Sequence, residues 1–350
     1  MKVIHVVWGL GLGGIETMLV NIANNQARLG HKIYIIAINN IVEESLVKAL
    51  DDSIEFVCLK RGVGSKNPYP FIRLNYLLKR LAPDIIHIHR PPLIKYIFLP
   101  SLRRRTCTTM HDVCNESIIK GLKECRRIFA ISKYVKEDIY NQLGLNAVLV
   151  NNGIQPEKIN HDAFNNSRFV VVQISRLDHT KKGQHILLKA ISILRKRGLD
   201  VYADMIGDGP SKDYLLQLRD ELGLGDCVRF LGEKNQQFIY EHLHEYSLLV
   251  QPSVFEGFGL TVTEAMAAKI PVLVSQNQGP LEIIDNGTYG YFFNNGDEQD
   301  CAKKIELFYR GQDEKNKIES AFLRVYECYN VINTAKSYLG EYKKIIEEVG

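Results

Sequence analysis

Two glutamates, Glu256 and Glu264, stand eight positions apart in the stretch PSVFEGFGLTVTEAMAA (252–268), across a join between a loop and a helix. The first lies in a glycine-punctuated loop, Glu256-Gly257-Phe258-Gly259, and the second falls one to two turns into an apolar helix expected to start near Leu260. The apolar run just before it, 248–250, reads as a buried parallel strand. Strand, glycine loop and helix N-terminus together form an anion site, because outward-facing backbone N–H groups and the positive helix end meet a ligand that glycine lets come close. Carboxylates beside such a loop suit hydroxyls. Further upstream, Arg176 and Lys182 follow a strand expected at 169–174 and precede a helix expected at 184–197. A planar fork and a point charge in that place suit the negative charge that builds on a departing diphosphate, with Lys181 the rival to Lys182. Phosphates and hydroxyls on one ligand describe a nucleotide-sugar.

The elements that position these groups alternate. Strands are expected at 3–8, 32–38, 54–59, 85–89, 106–110, 128–131 and 148–150, with helical segments at 15–29, 70–81, 93–99 and 133–142 between them. A second α/β series runs from 169 through 203–206, 228–232, 248–250 and 271–274, with closing helices at 305–308, 315–330 and 331–349. Alternation of this kind gives doubly wound parallel sheets, which bind ligands at the carboxyl ends of their strands. His111-Asp112 stands at such an end, after 106–110; His87 and His89 alternate with isoleucine on 85–89 and suit core or supporting roles. Gly9, Gly11 and Gly14 spell G-x-G-x-x-G, the dinucleotide fingerprint. That fingerprint needs an acid ending the second strand, where this chain has Asn39-Asn40, so a dinucleotide site is disfavoured.

PSVFEGFGLTVTEA resembles the donor-site motif of the family 4 glycosyltransferases, retaining enzymes of the GT-B arrangement. Five further stretches follow the family's order. The resemblance covers about 1–295 and is densest after 169. It implies an α/β GT-B fold, two Rossmann-like domains facing a cleft: 1–154 on the acceptor side, 155–330 holding the nucleotide-sugar, and 331–350 a helix returning to the first domain. Gly13-Gly14-Ile15-Glu16 resembles the GGxE loop, placing Gly13 and Gly14 at the donor diphosphate and Glu16 on the acceptor side; a first-turn acid favoured by the helix dipole is the plain alternative for Glu16. By resemblance His111 contacts the donor sugar, Gly207 opens the Gly-x-Gly-Pro turn, and the backbone at Leu231 lies beside the base. Asn152-Gly153-Ile154 matches the interdomain turn, with 155–168 a polar linker, and Gln278-Gly279-Pro280 matches a Gly-Gly-Pro segment with its first glycine replaced. Glu264 is then expected to hold ribose hydroxyls. Glu256 orients the sugar, with the Phe258, Gly259 and Leu260 amides near sugar and phosphate, and the site completes when the cleft closes.

Bulk properties agree with a two-domain enzyme. The chain has 350 residues, beyond the roughly 250–300 at which single cores stop growing. Hydrophobic residues make up 45% and charged residues 24%, the net charge is +4, and no apolar run is long enough to span a membrane. Seven cysteines without a CxxC imply a reducing, cytoplasmic setting. Basic residues at Lys79-Arg80, Arg103-Arg104-Arg105, Lys120, Lys123 and Arg126-Arg127 raise the expectation of an anionic acceptor or peripheral contact with an anionic membrane surface. They lack interleaved aromatics, which argues against nucleic acid. No Asp-x-Asp occurs, so neither a metal nor another cofactor is expected. The expected activity is transfer of a hexose or N-acetylhexosamine from a nucleotide-sugar, UDP-linked or GDP-mannose, to a hydroxyl of a glycan or lipid-linked acceptor. A GT-B-like nucleotide-sugar epimerase, a phosphorylase and a non-catalytic glycan-binding module are the alternatives.

Overall fold

The computed structural model describes the chain except Leu12, Asn115, Asn165, Asn166, Asn277, Gln278, residues 312–314 and Gly350, and the side chains of Glu116, Ser117 and Lys120. Gln278 and Lys120, singled out above, therefore lie outside what is described. The chain divides into two compact units, Met1–Ile154 joined by the segment from Asn330 onward, and Gln155–Tyr329.

The first unit carries β1 (Lys2–Val7), β2 (Lys32–Asn39), β3 (Glu55–Arg61), β4 (Ile85–Ile88), β5 (Thr106–Met110), β6 (Arg127–Ala130) and β7 (Val148–Leu149). They form one parallel sheet in the order β3-β2-β1-β4-β5-β6-β7. Chain order reverses between β1 and β4, and such switch points open the crevice where ligands bind. Ile4, Val6, Ile86 and Ile88 pack against the helix Tyr69–Leu81 on one face. The other face meets the helix Gly14–Arg28 and the C-terminal helix Val331–Val349. Tyr338 and Tyr342 of that last helix are fully buried. Arg127 pairs with Glu341 at 2.6 Å and with Glu348, and Arg126 with Glu348 at 2.7 Å.

The second unit repeats the plan with β8 (Phe169–Ile174), β9 (Val201–Ile206), β10 (Val228–Gly232), β11 (Leu248–Gln251), β12 (Val272–Ser275) and β13 (Tyr291–Phe293), ordered β10-β9-β8-β11-β12-β13 and all parallel. Its apolar strands are covered by the helices Gln184–Lys196 and Glu298–Tyr309.

Three expectations need correction. The helical segment at 93–99 is instead a 3-10 turn, Pro91–Tyr96, followed by extended backbone and a short helix Pro100–Arg103; Pro100 drives Leu99 out of the helical region. The linker at 155–168 is tied to the second unit, with Pro156 and Ile159 buried and the Asn160 N–H donating to the Tyr240 carbonyl at 2.9 Å. The basic surface is also smaller than its letters imply, since Arg103 pairs with Glu124 and Arg126 and Arg127 pair with the C-terminal helix.

Candidate active site

In the second unit the loops after β8, β9, β11 and β12 lace together at the carboxyl ends of the strands. The Ser175 N–H donates to the Ile206 carbonyl, Leu177 to Asp208, Phe255 to Lys181, and Gly279 to Glu256. A short helix, His179–Lys182, ends at Gly183, whose φ of 66° lies in the left-handed region. A side chain at Gly183 would run into the Pro252 carbonyl, so only glycine lets the two loops approach. That approach puts Lys182 Nζ 2.6 Å from Glu256 Oε2, both partly shielded from solvent. Gln251 Nε2 donates to the same carboxylate oxygen at 3.0 Å, and the Thr261 hydroxyl holds Gln251 by donating to its Oε1 at 2.7 Å. Lys181, the rival, is exposed and meets the Glu256 loop through its carbonyl, which accepts from the Phe255 N–H at 3.0 Å.

Arg176 is exposed beside this pair in sequence, its carbonyl fixed by Gln184 Nε2 at 2.9 Å. Gly207 follows β9 and donates its N–H to the Gly232 carbonyl at 2.9 Å. The register between β9 and β10 slips between Phe230 and Gly232, so Leu231 has no partner residue in the ladder. Gly259, at φ 105°, caps the helix Leu260–Ala267 and leaves its first amides unengaged by any side-chain cap. Phe258 turns its ring inward against Tyr329, so only its backbone serves the loop. Glu264 is buried in that helix, and burial pushes its carboxyl up to about 8 although the Gln236 side chain bonds to it. It is thus a protonated acid near neutrality, poised to ionise when better donors arrive.

In the first unit, Gly13 and Gly14 are exposed where the helix Gly14–Arg28 begins, and the Gly13 carbonyl accepts from the Thr17 N–H at 3.0 Å. Glu16 folds back over Gly13 and bonds to its own amide, and desolvation raises its carboxyl above the usual range while Arg90 works against that rise. His111, just past β5, is held down to about 3 by burial and by the Arg90 guanidinium, so its imidazole is neutral. Arg90 was missed by the sequence reading. It stands just past β4, and the strand-end argument that found His111 also applies to it.

Beneath His111 lie His5, His87 and His89, all buried, with nitrogens within 4.8 Å of one another. Such a cluster has a metal-ligating composition. Every ring nitrogen, however, already has a protein partner. His5 meets Gln26 at 2.8 Å and His89 at 3.1 Å, His89 meets His111 at 3.4 Å, and His87 meets Tyr342 at 2.6 Å and Thr109 at 2.8 Å. The cluster is better read as a hydrogen-bonded network than as a metal site.

Each of the two units is thus a parallel α/β sheet with glycine-rich loops and charged groups gathered at its strand ends, where doubly wound folds bind their ligands. The model for Glycosyltransferase Family 4 matches residues 12–158, and that for Glycosyl transferases group 1 matches residues 154–322. The chain belongs to the family 4 glycosyltransferases and has the GT-B fold. An uncharacterized glycosyltransferase of Methanocaldococcus jannaschii is 24% identical over 394 aligned positions covering 100% of both chains. An amylovoran biosynthesis glycosyltransferase of Erwinia amylovora is 31% identical over 169 residues, 46% of this chain and 41% of its own length. HepE of Anabaena, solved in complex with UDP-glucose, superimposes with a TM-score of 0.82 at 20% identity, covering 98% of this chain and 100% of its own.

Proposed function

We propose that this glycosyltransferase moves a hexose or N-acetylhexosamine from a UDP-sugar, with GDP-mannose the second choice, to a hydroxyl of a glycan or lipid-linked acceptor in cell-surface polysaccharide synthesis, with retention at the anomeric carbon. The observation that carries the reading is the Lys182–Glu256 pair, held by Gln251 beside a glycine-capped helix N-terminus. The UDP-glucose bound by HepE and the amylovoran pathway of the Erwinia relative support donor and setting.

Chemistry follows from charge. As the glycosidic C–O bond breaks, negative charge builds on the diphosphate, and Arg176, Lys182, the Gly13-Gly14 amides and the Gly259–Leu260 amides stabilise it without a metal ion. Glu256 orients the sugar, His111 accepts a hydrogen bond from one of its hydroxyls, Glu264 takes the ribose diol, and the Leu231 backbone lies at the base. Glu16 serves the acceptor. A covalent route needs a carboxylate free to attack, as in retaining glycosidases. Glu256 is instead engaged by Lys182 at 2.6 Å, which favours same-face attack assisted by the departing phosphate. Among the described residues no helix is long and apolar enough to cross a membrane. Tyr69, Ile72 and Tyr76 form an exposed stripe on Tyr69–Leu81 beside Arg73, which suits peripheral contact with anionic lipid.

A thermal-shift screen against UDP-, GDP-, ADP- and dTDP-sugars tests the donor. Product anomers read by NMR test retention, and rates in excess chelator test metal independence. Conversion of the sugar without acceptor replaces the proposal with an epimerase.

A further inference from the structure

A line of imidazoles connects the interior of the first unit to His111. Gln26, fully buried on the inner face of Gly14–Arg28, presents its side-chain carbonyl to His5 Nε2 at 2.8 Å. His5 Nδ1 faces His89 Nε2 at 3.1 Å, and His89 Nδ1 faces His111 Nε2 at 3.4 Å. The last atom in the series, His111 Nδ1, is buried and has no hydrogen-bond partner among the described residues.

Proton counting gives this line a direction. A neutral imidazole has one N–H donor and one bare acceptor nitrogen. The Gln26 carbonyl only accepts, so His5 must donate through Nε2 and accept at Nδ1. His89 then donates through Nε2 and accepts at Nδ1, and His111 donates through Nε2. The one nitrogen left bare is His111 Nδ1. Charging any ring would give it two donors and break this alternation, and burial lowers the basicity of all three imidazoles.

We propose that Gln26, His5 and His89 are positioning residues that lock His111 in the Nε2–H tautomer, so that its Nδ1 can only accept a hydrogen bond from a sugar hydroxyl. The inference rests on the proposed role of His111 for its ligand, but not for the tautomer itself. Were the line reversed, His111 would offer an N–H and would suit an acceptor atom such as a phosphate oxygen. Its specificity for a hydroxyl is therefore set three residues away, at an amide buried beneath the sheet. A second set of bonds, Tyr342–His87–Thr109–Tyr338, runs alongside and ties the strands to the C-terminal helix without touching His111.

The test is long-range proton–nitrogen correlation NMR on the full chain with 15N-labelled histidine, His111 being assigned by comparison with His111→Asn. The expected result is a single Nε2–H tautomer at His111 near neutral pH. Gln26→Leu and, independently, His5→Phe should each populate the Nδ1–H form, while an unchanged far-ultraviolet circular-dichroism spectrum checks folding. In a transfer assay each variant should lose roughly five- to tenfold in kcat/KM, the equivalent of about one neutral hydrogen bond. An Nδ1–H form in the unmodified protein overturns the proposal, and that measurement stands even if a variant does not fold. A tautomer unmoved in both folded variants also overturns it. If the tautomer behaves as expected but no nucleotide-sugar is turned over, the functional reading falls and the relay survives.

Discussion

Lys182 and Glu256 neutralise each other at 2.6 Å, so a diphosphate arriving at Lys182 competes with a carboxylate already there. The two residues should therefore answer to truncation with opposite signs in binding. Glu256→Ala frees the ammonium and should tighten UDP several-fold, while turnover drops about 100-fold or more with loss of the sugar's orienting group. Lys182→Ala should weaken both. Titration calorimetry with UDP alone, paired with initial rates, separates the cases; equal weakening of UDP by both changes would remove the competition. Glu264 offers a second test. Burial lifts its carboxyl from 4.5 to about 8, so at pH 7 the free protein holds a proton there. Two ribose hydroxyls donating to the carboxylate favour ionisation, and UDP binding at pH 7 should release close to one proton. Calorimetry in buffers of differing ionisation enthalpy measures that number. Glu264→Gln should bring it to zero, and an unchanged release in that variant would place the proton elsewhere.

Elements carry the next constraint, because the pair exists only where two loops touch. Gly183→Ala forces a side chain into a left-handed backbone and against the Pro252 carbonyl. It should cost at least ~2 kcal/mol in urea unfolding and weaken UDP by moving Lys182. Gly198→Ala has a similar φ of 79° but open space around it, and should cost only about 1 kcal/mol with binding unchanged. The same elements show what the letters made legible. Apolar runs such as Val171-Val172 and Leu248–Gln251 announce buried parallel strands because both faces are covered, and the strand-end rule brought Arg176, Lys182, His111 and Glu256 into view. The short helix at 179–182, which makes Lys182 rather than Lys181 face Glu256, has too few residues to show a period. Gln26 was invisible for another reason. A polar residue on a helix reads as solvated unless its buried partner, His5, is known to lie beneath it.

At the scale of the whole molecule, the two units hold buried titratable groups of opposite sense. In the first, His5 is lowered to about 4 and His111 to about 3, both by burial and the latter also by Arg90. Unfolded histidine takes up protons below about pH 6.5 while the folded rings stay neutral. Stability of the first unit is thus fully present above pH 6.5 and drains as pH falls toward 4. In the second unit Glu264 runs the other way. Its folded carboxyl keeps a proton until about pH 8, whereas the unfolded one loses it near 4.5. Stability is present below pH 4.5 and declines as pH rises to 8, by an amount on the order of a few kcal/mol. Hydrogen-exchange mass spectrometry, corrected for intrinsic rates, should resolve the two trends. From pH 7 to 5, protection in β1, β4 and β5 should fall, while protection in Leu260–Ala267 should rise. Glu264→Gln should flatten the second trend and leave the first intact. Flat protection of Leu260–Ala267 between pH 6 and 8 would mean that Glu264 is already ionised, and the proton release expected on UDP binding would vanish with it.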